Sequence, residues 1–283
     1  MKKSLILPIL LLAAIQLRAQ QSVMFKLAYQ PKTTYTIDKD MKVMMNMNLP
    51  AEIAAATGGV QDMTMVMNSN TTSVIAAGAR SQGNMPVKFT MKANTMKVSM
   101  NGQDMPAGSI ATPNVAVYGK YTTDSKLLVD SIAGQKMTDS LRTVMSKMLD
   151  AVQDGIKFPD HPLKVGETFT QDMPLSLPLP GIGGSNTMNM KMTYKLLRIV
   201  GNTAAFDFTE NIDLNMSPQV QGQNLKITMT GTGDGFLNYD IAKQFFTTMS
   251  NNLSVNFDIN TSGVAIKGKG NVVTTDKVVI AGN

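Results

Sequence analysis

The chain has 283 residues, enough to bury a sizeable core, and carries 24 methionines but no cysteine, no tryptophan and one histidine. Its formal charge of +6 comes without any Lys/Arg run, and aromatic residues make up only 6 % of it, which argues against the basic, stacking surface of a nucleic-acid binder. Absence of cysteine excludes thiol nucleophiles, thiolate metal sites and disulfides, so stability has to come from burial.

Lys2 and Lys3, an apolar run from Leu5 to Leu17, and Arg18-Ala19 before Gln20 have the layout of a secretory signal peptide spanning residues 1–19. The run is too short to span a bilayer as a helix. Without Lys2, Lys3 and Arg18, and with no acid lost, the net charge falls from +6 to +3. No cysteine follows the cleavage point to carry a lipid. An exported product is expected, in the periplasm or at the cell surface, with no lipid anchor and no transmembrane span.

Methionines then recur at alternate positions: Met45 and Met47; Met63, Met65 and Met67; Met188, Met190 and Met192. Period two sends these thioethers to one face of a strand, with Thr64, Asn189, Lys191 and Thr193 on the other. Pro50 to Gly58 reads as a short helix, with proline in its first turn and glycine at its end.

Near the midpoint, Leu141, Val144, Met145, Met148, Leu149 and Val152 share one stripe of a 3.6-residue helix. Thr138 suits an N-cap, Gly155 a C-cap, and Pro159 blocks continuation, so a central amphipathic helix is expected over 139–153.

Beyond it the strand pattern resumes. Phe206, Phe208, Ile212, Leu214 and Met216 alternate with Asp207, Thr209, Asn211, Asp213 and Asn215. Leu253, Val255, Phe257 and Ile259 alternate with Ser254, Asn256 and Asp258, and turn residues separate the runs at Gly201-Asn202, Ser217-Pro218, Asp240 to Lys243 and Thr261 to Gly263.

Several blocks recur in order on both sides of the helix. Met63 to Met67 matches Met188 to Met192, Lys88-Phe89-Thr90 matches Asp207-Phe208-Thr209, Met96 to Gly102 matches Leu225 to Gly231, and Tyr121 with Leu127-Leu128 matches Tyr239 with Phe245-Phe246. Four blocks in one order point to a duplication, with halves of about 20–135 and 156–283 forming one β-rich domain. The expected fold is mainly β: two related strand sets in a strongly curved, half-barrel-like antiparallel sheet, packed on helix 139–153.

These blocks, with Pro162-Leu163-Lys164-Val165-Gly166-Glu167-Thr168-Phe169, resemble an uncharacterised family of exported Gram-negative proteins of unknown function, over most of the mature chain. More loosely, the plan resembles the half-barrel of the lipoprotein-carrier (LolA-like) superfamily, whose members hold acyl chains in the concave face. That resemblance implies a fold and suggests a ligand class; no functional residue of the superfamily is matched position by position.

Chemistry is scarce. His161, between Asp160 and Pro162, has no second histidine for a metal site and no nucleophile set around it. Gly181 to Gly184 lacks the Lys-Ser/Thr of a phosphate loop, and Gly231-Thr232-Gly233-Asp234-Gly235 lies within a strand pattern, marking a bulge or a close approach to the backbone. Asp207, Asn211 and Asp213 offer oxygens to a cation, but solvated strand faces look the same. Glu210 shares parity with Phe208 and Ile212, and a bulge near Asn211 that turns it outward is the preferred reading. The methionine rows suit Cu(I) in principle, but core or cavity lining is the reading preferred for them.

The expectation is therefore a non-enzyme without cofactor or metal. It would bind a lipid or other apolar or amphiphilic ligand in a groove lined by Met63, Met65, Met67, Met188, Met190, Met192, Val144 and Met148. The alternative is a structural or protein-interaction module of the envelope with a filled core.

Overall fold

The computed structural model describes residues 22–56, 59–105, 116–123, 127–133, 156–176, 186–217, 219–220, 223–261 and 264–282. Its strands in chain order are β1 (Ser22–Val23), β2 (Thr33–Asn48), β3 (Asp62–Ala77), β4 (Met85–Met100), β5 (Gln103–Asp104), β6 (Ala116–Tyr121), β7 (Leu127–Ala133), β8 (Leu163–Lys164), β9 (Thr168–Ser176), β10 (Asn186–Val200), β11 (Thr203–Met216), β12 (Gln219–Val220), β13 (Gln223–Asp240), β14 (Phe245–Thr261) and β15 (Val264–Gly282). One helix, α1 (Ala51–Ala56), joins β2 to β3 where the Pro50 signal predicts it. The Pro50 carbonyl accepts from Ala54 N at 2.9 Å, and Gly59, at φ 84°, carries the chain out of the helix.

A single antiparallel sheet dominates, in the order β7-β6-β4-β3-β2-β15-β14-β13-β11-β10-β9, with β5 added to β4 and β12 to β13. The two meanders meet where the first long strand pairs with the last, from Asn48↔Lys267 to Thr33↔Gly282. No motif in the sequence announces that junction. Among the described residues the outermost strands β7 and β9 are not paired with each other, so the sheet they form is open.

Alternation decides which face is covered. In β11 every even residue from Ala204 to Met216 is buried and every odd one except half-buried Ala205 is exposed. The same phase runs through the register, giving an apolar inner face and an outer face of Asn, Thr, Asp and Lys.

Aromatic contacts show that the sheet curls around the inner face. In a flat sheet, β6 and β14 would lie about 24 Å apart, five strand spacings. Yet the Tyr29 ring lies 5.2 Å from Tyr121 on β6 and 5.4 Å from Phe245 on β14.

The core sits at one end of the inner face, beneath two crossing segments. From β1 onward, residues 22–30 run across the sheet as a strap: Phe25 packs on Phe158, Phe206 and Tyr239 at 5.1–5.4 Å, and Tyr29 on Tyr35 at 5.2 Å. The strap is tied by Tyr239 Oη donating to Lys26 O (2.6 Å), Ala28 N donating to Gln244 O (3.0 Å) and Gln30 N donating to Tyr35 Oη (2.7 Å). Ile156, Phe158 and Leu163, around the β1–β8 pair, close the same cluster.

The central helix over 139–153, segment 1–19 and the loop from 180 to 184 lie outside the described residues. Among the described residues the helix present is the short α1, at a strand connection rather than under the sheet. Of the recurring blocks, Met63 to Met67 lies in β3 and Met188 to Met192 in β10. Met96 to Gly102 ends β4 and enters a turn, whereas Leu225 to Gly231 opens β13, so those two blocks occupy different places.

Candidate functional site: the methionine-lined inner face

Away from the aromatic core, the inner face is lined by methionine and aliphatic side chains. Met47 stands opposite Met63, Met45 opposite Met65, and Val43 opposite Met67, while Met65 also faces Met100 on β4. Met63, Met65 and Met67 are half-buried. In the other meander, Met190 stands between Met173 and Ile212, and Met188 opposite Leu214. Both pack on a cluster of Ile212, Leu253 and Val255.

These two groups share a face but lie six strands apart, about 29 Å measured along the sheet. Met192 differs from its neighbours. At 3 % exposure, with its sulfur accepting from Tyr194 Oη at 3.2 Å, it belongs to the packed core rather than to an accessible lining. Val144 and Met148 lie outside the described residues.

Charged side chains interrupt the apolar face at particular points, and the sequence reading missed or misplaced them. Glu210 is 4 % exposed and points inward. The bulge expected near Asn211 is absent, because β11 keeps regular register with both neighbours from Phe206 to Met216. Room comes instead from the partner strand: a Cβ at Gly233 would come within 2.6 Å of Glu210 Oε1, so the carboxyl lies over the glycine. Asn251 Nδ2 donates to Oε1 at 3.0 Å. Burial pushes this carboxyl above the usual carboxylate range; the Asn251 hydrogen bond opposes the shift and the Asp234 charge adds to it.

The folded state therefore holds the Glu210 proton more tightly than the unfolded chain does. The stability this gives is fully present below the unfolded carboxyl range and is lost as pH rises through the raised folded value. Glu210→Gln should remove that slope, matching wild type near pH 4 and exceeding it at pH 8 by about 1–3 kcal/mol, the range for an imperfectly satisfied buried polar group. Urea unfolding at the two pH values measures it, and parallel pH profiles for the two proteins would contradict it.

On β2, Lys39 stands on the same face between Asp276 of β15 and Thr71 of β3. Its Nζ lies 3.4 Å from Asp276 Oδ1, which has no well-aligned hydrogen bond, so the contact is an ion pair. Burial raises the Asp276 carboxyl above its usual range against the opposing pull of Lys39. Parity could have found this lysine, since Tyr35, Ile37, Lys39, Met41 and Val43 fall on alternate positions.

Two hollows, of about 680 and 670 Å³, lie on the opposite, polar face behind the methionine rows. Side chains such as Asn189, Asp213, Thr230, Asn256, Lys269 and Asn46 wall them, and the strand backbone floors them. Asp207 and Asp213 also point outward and are exposed. Six residues of strand, about 20 Å, separate them, too far to share a cation that needs oxygens at about 2.3–2.6 Å. Among the described residues no group of three or more His, Asp or Glu is placed to hold a metal. His161 is exposed in its turn, with Nδ1 3.3 Å from Pro162 O.

No protein-family model matches the chain, and no curated protein does. Among solved structures, lipovitellin, studied for its lipid–protein interactions, is similar over 90 % of this chain at 12 % identity and a TM-score of 0.47. This chain spans only 26 % of lipovitellin. Pseudomonas aeruginosa OccK5 is similar over 89 % of this chain and 100 % of its own, at 8 % identity and a TM-score of 0.27. An outer membrane channel from Pseudomonas putida F1 is similar over 89 % of this chain and 97 % of its own, at 7 % identity and a TM-score of 0.21.

Proposed function

We propose that the chain is an exported, non-catalytic envelope protein that holds an apolar or amphiphilic ligand against the methionine-lined part of its inner face. The observation that carries this is the half-buried state of Met63, Met65, Met67, Met188 and Met190 on one face of a curled sheet whose other end is already filled by aromatic rings. Unbranched thioether side chains repack around varied apolar shapes, which suits a binding wall better than a fixed core.

In this reading, segment 1–19 is removed on export, and 20–135 and 156–283 descend from one duplicated strand plan. Helix 139–153 lies across the concave side, completing a half-barrel. Ala133 ends the edge strand β7 and Thr168 opens the other edge strand, β9.

Native mass spectrometry of the protein purified from exporting cells, followed by organic extraction, tests the proposal. An apolar molecule released in stoichiometric amount is expected; bare protein with nothing extracted defeats it. A second reading, a contact module of the envelope, is favoured by the two polar hollows. It predicts bare protein that still co-sediments with envelope fractions, and loss of that association on changing Asn189 and Asn256.

A further inference from the structure

We propose that Lys39 is the head-group contact of the inner face, and that the ligand is a single-chain amphiphile with an anionic head. This rests on the apolar-ligand reading above and adds the chemistry of the head. Elsewhere in the long strands, lysines such as Lys42, Lys88, Lys97, Lys191, Lys226 and Lys267 fall on outward positions of the register. Lys39 alternates instead with the buried set, opposite Asp276 and two residues from Ile37.

Its side chain is 49 % exposed while that of Asp276 is 12 % exposed, so the ammonium is reachable and the carboxylate holding it is not. An ammonium carries three donors, and the Asp276 contact uses one direction, leaving two for a ligand's oxygens. Asp276 is in this sense a positioning residue: it keeps the lysine on the inner face at 3.4 Å.

Geometry sets where the tail goes. Toward Tyr35 the strand enters the aromatic core, which is filled. In the other direction half-buried Met41, Met45 and Met47 follow on the same face, with Val43 packed down between them, over eight residues or about 26 Å of strand. An acyl tail spans about 15 Å, half of a bilayer's hydrocarbon core, and fits within that lane. A cation at the closed end of an apolar lane selects a chain with a terminal negative head.

Calorimetric titration of the purified chain with dodecanoate, dodecanol and dodecyltrimethylammonium, each below micelle formation, tests this. Dodecanoate should bind most tightly, Lys39→Gln should weaken it about tenfold or more without changing dodecanol, and Lys39→Arg should restore most of the loss. Equal weakening of dodecanoate and dodecanol by Lys39→Gln overturns the assignment, because the effect is then structural. Dodecanoate binding that ignores Lys39→Gln overturns it too, and leaves the apolar-ligand reading standing. Binding of none of the three to the wild-type chain defeats both.

Discussion

Replacing Phe25 with alanine should destabilise the protein by about 3–5 kcal/mol, the range for removing a buried phenyl ring from a packed core. The ring is 4 % exposed and makes contacts at 5.3, 5.1 and 5.4 Å with Phe158, Phe206 and Tyr239. Those partners come from the segment before β8 and from the paired strands β11 and β13, so one side chain ties the strap and the segment before β8 to the large sheet. At roughly 2–4 °C per kcal/mol for a chain of this class, the melting temperature should fall by about 6–20 °C. Amide exchange adds a local readout. The Ala28 amide, bonded to Gln244 O, should lose protection, since it lies three residues along the strap from the missing ring. A melting temperature within a degree of wild type would show that the strap lies on the core without being part of it.

The strap is also where sequence reasoning stopped short. Alternation at period two identified the strands and their phase, because side-chain parity in β11 and β14 is a local property of the chain. The strap alternates too, with Val23, Phe25, Leu27 and Tyr29 at every second position, but it pairs only through the two-residue β1, and these side chains reach the core only because the sheet curls up to meet them. Pairing of β2 with β15 was equally invisible, since it joins residues more than two hundred positions apart and nothing local encodes it.

Glu210 went wrong for a different reason. A carboxylate among apolar side chains is costly, so a bulge turning it outward was the cheaper local reading. The structure meets that cost with a glycine on the paired strand β13 and an asparagine on β14 beyond it, information that no window around residue 210 contains. Among the candidate lining residues, parity places Met63, Met65, Met67, Met188 and Met190 on the inner face, but parity cannot say how deeply a residue is buried. Met192 is packed shut by Tyr194 although it continues the same row.

The glycines of β13 lead to the second large effect. Gly235→Ala is expected to cost about 3 kcal/mol, the upper end of the usual overpacking range. The reason is the inner-face register. Gly235 stands opposite Phe208 on β11 and Asn251 on β14, and the tip of the Phe208 ring, Cζ and Cε2, occupies the place where a side chain would begin. A Cβ there would overlap that ring and also the Ser250 carbonyl oxygen, which is backbone within a paired strand and cannot step aside. Gly282→Ala, where a Cβ meets nothing within 4 Å, serves as the control and should stay within about 0.5 kcal/mol of wild type. Urea midpoints of the two variants give the comparison. Adding Phe208→Ala to Gly235→Ala separates the two clashes: the ring component should disappear as a favourable coupling in the double-mutant cycle, while the carbonyl component remains. If Gly235→Ala is no worse than Gly282→Ala, the inner face has slack at this point, and the packing of the Phe208 ring over β13 does not depend on the missing side chain.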